Sequence, residues 1–314
     1  MSAPLRLATR GSALATAQSR AFGDLLAAAS GREVELVTVV TRGDVDTAPL
    51  ATMGGEGVFV AAVREALLDG RADVAVHSLK DLPTAAHPGL ELAAVPARVD
   101  PRDVLVARDG LLLHELPEGA RIGTGSPRRV AQLRAVRPDL ELVGIRGNVD
   151  TRLRKVADGE VDAVVLARAG LERLGRLEVV TEVLDPLTML PAPAQGALAV
   201  ERAAGPRDDA DSLTQALRTL DDPLTRAAVT AERSLLAALE AGCSAPLGAY
   251  ADVAEGDAGE HELYLRAVVA DLDGTRALRM SITGPASAAP QLGRRLADDL
   301  LAAGAADLMG EPIP

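Results

Sequence analysis

A chain of 314 residues, with 48% hydrophobic and 25% charged residues and a net charge of −12, is long enough for two or three globular domains of ordinary size. Its opening, Met1-Ser-Ala-Pro-Leu-Arg6, lacks the basic stretch and apolar core of an export signal, and no apolar run reaches the ~18 residues that span a bilayer, so the expected setting is the cytoplasm. An aromatic content of 1% with no Trp argues against stacking platforms for single-stranded nucleic acid, and the single cysteine, Cys243, excludes an intrachain disulfide and a cysteine-based metal cluster.

The pattern predicts alternating strands and helices. A short strand over residues 5–8 leads to a helix over 12–29, a β-branched buried strand over 34–40, a helix over 58–68 and a strand over 72–76 that runs into Val76-His-Ser-Leu-Lys-Asp-Leu-Pro83. Strands over 90–95 and 103–107 follow. The motif then repeats: strand 121–123, helix 127–137, strand 140–145, helix 149–157, strand 163–167 and a further helix. Such alternation implies a mostly parallel sheet covered on both faces, with ligands at the carboxyl ends of its strands. The Pro-rich stretch 186–193 reads as a connection. Beyond Asp221 the style changes to a long amphipathic helix over 224–239, strands over 247–253, 263–271 and 277–282 with the hairpin signal Asp273-Gly274, and a last helix near 291–302. This is an antiparallel α+β unit.

Charge is uneven. Residues 121–155 contain nine basic and three acidic residues, a +6 island in a remainder of −18. The acidic remainder makes nucleic acid a poor partner and a small polyanion a better one. Three strand-to-helix junctions share one design. In Gly123-Thr-Gly-Ser-Pro-Arg-Arg129, Ser126 is expected to cap and Pro127 suits the first turn, with Arg128 and Arg129 beside free N–H groups. In Arg146-Gly-Asn-Val-Asp-Thr-Arg152, Asn148 caps and Arg146 and Arg152 flank it; in Ala8-Thr-Arg-Gly-Ser12, Arg10 ends the strand and Ser12 caps. A planar guanidinium suits bidentate carboxylate binding, so the pattern points to a ligand with several carboxylates. Asp81 follows a buried strand beside Lys80 and precedes a proline, where a carboxylate either stabilises a bound cation or serves as a turn residue. Cys243, in Gly242-Cys-Ser-Ala-Pro-Leu-Gly248, is an inert thiol, a reactive thiol or a covalent attachment point.

These motifs, with Pro193-Ala-Gln-Gly196, stand in an order that resembles the porphobilinogen deaminase family over nearly the whole chain. The resemblance implies an α/β fold of two periplasmic-binding-protein-like doubly wound domains, with the active site in the cleft between them, plus a smaller α+β C-terminal domain. Their expected extents are 1–98 with about 194–218, 99–193 and 219–314. It implies a transferase of tetrapyrrole biosynthesis that polymerises four porphobilinogen molecules, with loss of ammonia, on a dipyrromethane cofactor joined to Cys243 by a thioether. Hydrolysis then releases hydroxymethylbilane. By the same resemblance Asp81 is the catalytic carboxylate, stabilising positive charge as each aminomethyl group leaves. Arg10, Ser12, Lys80, Thr124, Ser126, Arg128, Arg129, Arg146, Gly147, Arg152, Arg173 and Gln195 match cofactor or substrate contacts. Each pyrrole carries an acetate and a propionate, which agrees with a cluster of arginines. No metal, nucleic acid or membrane is implied, and a monomer is expected.

Residues 46–59 match the family's cleft-covering loop, with Thr52 and Glu56 where many members have basic residues. Phe59 is either a stacking contact or a core residue. Two other readings remain: a two-lobed solute-binding protein that uses the arginines without chemistry, and nucleic-acid binding by the basic island.

Overall fold

The computed structural model describes residues 3–39, 60–206, 208–241, 245–256 and 259–309. The start of the helix expected from 58, the loop expected over 46–59 with Thr52, Glu56 and Phe59, and the attachment residue Cys243 lie outside these residues. In chain order the elements are β1 (Leu5–Arg10), α1 (Ala13–Ser30), β2 (Val34–Val39), α2 (Ala61–Leu68), β3 (Val74–Ser78), β4 (Leu90–Ala94), β5 (Asp103–Ala107), β6 (Arg121–Gly123), α3 (Pro127–Val136), β7 (Glu141–Val143), α4 (Val149–Ala157), β8 (Ala163–Ala167) and α5 (Arg168–Arg173). They continue with β9 (Glu182–Val183), β10 (Leu198–Ala203), α6 (Ser212–Leu220), α7 (Pro223–Ala238), β11 (Leu247–Glu255), β12 (His261–Ala270), β13 (Ala277–Pro285), α8 (Ala289–Ala302) and α9 (Ala305–Met309).

Two compact units result: residues up to 98 with 197–226, and residues 99–196 with 227 onward. The first holds a sheet of order β2-β1-β3-β10-β4 and the second a sheet of order β7-β6-β8-β5-β9. Both orders read second, first, third, reversed, fourth. The reversed strand follows closely at two of the places where the chain passes from one unit into the other: β5 after Arg98 and β10 after Gly196. Because each is antiparallel to its neighbours, it begins at the edge where the parallel strands end. Leu198 pairs with Ser78 at the end of β3, and Asp103 pairs with Ala167 at the end of β8.

Apolar side chains on both faces of each sheet make the strands near-continuous hydrophobic runs. In the first unit Leu5, Leu7, Val74 and Val76 pack on Phe22 and Leu26 of α1 and Leu217 of α6. Ala8, Val39 and Ala75 pack on Val63, Ala66 and Leu67 of α2. In the second, Leu105, Ile122 and Val165 face Leu133 of α3, while Val104, Val106 and Val164 face Val156 of α4 and Leu171 of α5. The third sheet, β11-β12-β13, is antiparallel and buries one face against α7, α8 and α9. The hairpin expected at Asp273-Gly274 is present, with Gly274 at φ 76°.

The sequence pattern does not predict β10, whose Leu-Ala-Val-Glu-Arg-Ala composition favours helix, nor α6. Pairing with β3 and β4 on its two sides makes β10 a strand. Its polar residue is also structural. Glu201 is buried and takes Arg64 of α2 through Nε at 2.9 Å and Nη2 at 2.7 Å, with His77 Nε2 at 3.3 Å. Burial opposes ionisation, but His77 and Arg64 outweigh it and hold the Glu201 carboxyl down to about 2. The folded value lies below the ordinary 4.5, so this contribution is complete above that pH and is lost as pH falls through about 2. Glu201→Gln is expected to cost about 3 kcal/mol in denaturant unfolding and to flatten the loss of stability on acidification over that window; an unchanged acid limb refutes the assignment.

Candidate active site

The carboxyl edge of the first sheet gathers the residues expected there. Arg10 is the last residue of β1, and Ser12 caps α1 by accepting from Ala15 N at 3.3 Å. β3 ends at Ser78 and turns at once into a single 3₁₀ turn, Leu79–Asp81, anchored by the buried Leu79 and Leu82. Leu79 N donates to Ala197 O at 3.0 Å, so the turn is fixed to the start of β10. This geometry presents Asp81 to solvent. Among the described residues its carboxylate has neither an ion pair nor a hydrogen-bond partner.

At the corresponding edge of the second sheet, Asp103 opens the reversed strand β5 and is fully buried. Arg128 Nη1 lies 2.7 Å from its Oδ2, Arg129 Nη2 lies 2.7 Å from its Oδ1, and Gln195 Nε2 donates to Oδ1 at 2.9 Å. Burial alone would raise the Asp103 pKa; the two guanidiniums reverse this and hold the carboxyl well below its ordinary range. For Arg128 burial dominates and lowers the pKa, with Asp103 opposing. Two cations on one carboxylate leave an excess positive charge. Arg129 Nη1 donates to Val165 O at 2.9 Å, but its Nε, though buried, has no hydrogen-bond partner among the described residues.

Helix α3 begins here without the expected cap. Ser126 occupies the N-cap position, but its hydroxyl makes no capping bond; its own N–H turns back to Thr124 Oγ1 at 3.2 Å. The first-turn N–H groups of Arg128 and Arg129 therefore have no side-chain cap, and the helix end remains open to an anion. Thr124 itself is buried and tied to Val143 O. At the next junction Asn148 does cap α4, accepting from Thr151 N at 2.9 Å. Gly147 has φ 103°, and a Cβ there would sit 2.7 Å from Thr151 Cγ2, so the turn requires glycine. Arg152 Nε donates to Gly147 O at 2.9 Å, which leaves Arg152 without a carboxylate partner among the described residues. Its pKa is lowered by burial and then by the like charge of Arg129. Arg146 stands exposed between β7 and α4, and Arg173 at the end of α5 donates to Gly196 O at 2.7 Å.

Thr124, Ser126, Arg128, Arg129, Gly147, Arg152, Arg173 and Gln195 thus share the second unit, while Arg10, Ser12, Lys80 and Asp81 share the first. Two structural carboxylates escape the sequence pattern. Asp103 is the polar residue that opens an otherwise apolar strand, a signal that was available. Glu232, buried in α7, accepts from Ala194 N at 2.5 Å and Ala251 N at 2.8 Å, joining the Pro-rich segment to β11; nothing in its helical surroundings marks it.

A model described as "Porphobilinogen deaminase, dipyromethane cofactor binding domain" matches residues 5–211, and one described as "Porphobilinogen deaminase, C-terminal domain" matches residues 226–302. The chain is 58% identical over 315 residues to porphobilinogen deaminase 1 of Streptomyces coelicolor, covering 98% of each. It is 56% identical over 310 residues to the porphobilinogen deaminase of Mycobacterium marinum, covering 97% of this chain and 96% of that one. Among solved structures, the VFT2 domain of Bordetella pertussis BvgS aligns at 17% identity with a TM-score of 0.42, over 73% of this chain and 91% of that one.

Asp103→Asn removes the charge that two buried guanidiniums share. It is expected to destabilise the fold by about 3–5 kcal/mol, read as a lowered thermal midpoint; a loss under 1 kcal/mol contradicts the role given to the pair.

Proposed function

This chain belongs to the porphobilinogen deaminase family, and on that premise we propose that Cys243, Asp81 and the arginines around Asp103 carry the family's reaction in it. The protein is a transferase that joins four porphobilinogen molecules head to tail on a covalently held dipyrromethane primer, releasing one ammonia at each addition, and frees hydroxymethylbilane by hydrolysis. When bound, the dipyrromethane supplies the pyrrole carbon to which the first unit is joined. Cys243 Sγ holds it as a thioether.

The observation that carries the reading is the uncompensated positive charge at the head of α3. Among the described residues Arg129 Nε is buried without a partner, the first-turn N–H groups have no side-chain cap, and Arg152 feels the like charge of Arg129 with no carboxylate paired to it. Acetate and propionate side chains fit that donor set, and in a water-poor setting each charge-assisted bond is strong. Arg128 contributes Nε and Nη2, which have no partner among the described residues. Gln195 and Arg173 act one step back: the first steadies Asp103 and the second steadies Gly196. Thr124, Ser126, Arg146 and Gly147 line the same junctions, and Arg10, Ser12 and Lys80 supply the equivalent contacts in the first unit.

Asp81 performs the repeated chemistry. As the substrate's carbon–nitrogen bond breaks and ammonia departs, the carboxylate stabilises the cation left on the pyrrole. As the new carbon–carbon bond forms, it accepts the proton the attacking pyrrole gives up. An exposed carboxylate without an ion-pair partner among the described residues is suited to this, because no such pair has to break first. The same feature disfavours a binding protein without chemistry, which has no use for an uncompensated negative charge beside a polyanion. The reading includes three domains, one for each sheet and its own core, and a monomer in the cytoplasm; no helix of the described residues is long and apolar enough to cross a membrane.

Intact-mass measurement of the purified protein tests the tether. A covalent adduct is expected in the wild type and absent in Cys243→Ala, and an unmodified mass in active protein sinks the assignment. Asp81→Ala is expected to keep the adduct and the fold while turnover falls by at least about 10³-fold; wild-type rates in that variant refute the role of Asp81.

A further inference from the structure

Helix α3 contributes more than Arg128 and Arg129 to the second unit. Gln132, one turn beyond Arg128 on the same face, is 1% exposed. Its side-chain amide pairs with both main-chain groups of Leu190: Oε1 accepts from Leu190 N at 2.9 Å and Nε2 donates to Leu190 O at 3.1 Å. Leu190 O also accepts from Arg128 Nη1 at 2.5 Å. One carbonyl therefore anchors the guanidinium, and one amide holds that carbonyl in place.

The next links run to the third sheet. Pro191 O accepts from Ala249 N of β11 at 2.9 Å. Gly248 lies so close to Leu190 that a Cβ there would sit 2.9 Å from both Leu190 Cβ and Leu190 O. Strand β11 opens four residues past Cys243. A buried backbone N–H and C=O must both be satisfied, and a side-chain amide carries a separate donor and acceptor spaced to meet them. A space-filling residue on this face of α3 would be Leu or Met; either would leave Leu190 N unpaired.

We propose that Gln132 is a positioning residue: by pairing with Leu190 it fixes the Arg128 guanidinium against the start of β11, and so sets where ligand carboxylates held at Arg128 lie. This rests on the reading above that Arg128 meets ligand carboxylates. Gln132 touches no ligand; it acts through Arg128.

The test is a double-mutant cycle on holoenzyme, with steady-state porphobilinogen consumption as the readout and intact mass confirming the adduct in every variant. Gln132→Met, of similar volume, is expected to raise KM about tenfold with kcat changed less than about threefold, and Arg128→Lys to raise KM at least as much. In the Arg128→Lys background, Gln132→Met is expected to add nothing, because the group it orients is already gone. A wild-type KM in Gln132→Met, or effects that multiply in the double variant as two independent packing defects would, overturns the proposal. A wild-type KM in Arg128→Lys instead overturns the reading on which it rests. If Gln132→Met does not fold, Gln132→Asn, an amide one methylene too short to span both groups of Leu190, replaces it with the same outcomes.

Discussion

The arrangement of the second unit depends on a single buried carboxylate. Asp103 sits at the first position of β5 with no exposure to water and with Arg128, Arg129 and Gln195 converging on it from α3 and from the segment that ends the unit. A carboxylate or a guanidinium alone at this depth would cost several kcal/mol of lost hydration. Together they offset most of that cost, but only in the geometry observed, so the pair fixes direction more than it adds stability. Its stoichiometry matters as much as its strength. One negative charge against two positive ones leaves the cluster with a net positive charge, which on the proposed reading a ligand carboxylate completes without the arginines having to move.

The first unit uses the same device for another end. There too the reversed strand brings in a buried carboxylate, Glu201 on β10, and there too an arginine from a helix, Arg64 of α2, closes on it. In this case one guanidinium meets one carboxylate, with His77 alongside. The cluster locks α2 and β3 to β10. Asp81 lies just beyond β3, on a turn itself bonded to the start of β10 through Leu79 and Ala197. Two sheets with one strand order thus differ in what their reversed strands do: one meets two guanidiniums with a single carboxylate, the other anchors the turn that carries Asp81.

Much of this was legible in the sequence where local rules govern. The alternation of strands and helices, the carboxyl-edge position of the arginines, the Asn148 cap and the Asp273-Gly274 hairpin all follow from short-range patterns, and the structure has them. The ordered motifs identified the family. What escaped was set by distant neighbours. Strand β10 has the composition of a helix and is a strand because β3 and β4 flank it. Ser126 has the residue type of a cap, yet its N–H is drawn to Thr124 and its hydroxyl caps nothing. Arg128 and Arg129 read as arms extended toward a ligand, whereas each is largely enclosed and half committed to Asp103. Glu232 and Gln132 look like ordinary helix positions until the backbone groups they satisfy, far along the chain, are in view.

The basic island shows most plainly what the fold changes. Counted along the chain, residues 121–155 suggest a broad positive surface. In space, Arg121 leans on Asp162, Arg137 on Asp139, Lys155 on Glu160, and Arg128 and Arg129 on Asp103, while Arg134 donates to Leu272 O. Among the described residues no carboxylate pairs with Arg152, whose Nε donates to Gly147 O, or with Arg154. A nucleic acid backbone needs a row of exposed, uncompensated cations. The fold gathers part of the surplus at one helix end, where the like charge of Arg129 acts on the half-buried Arg152.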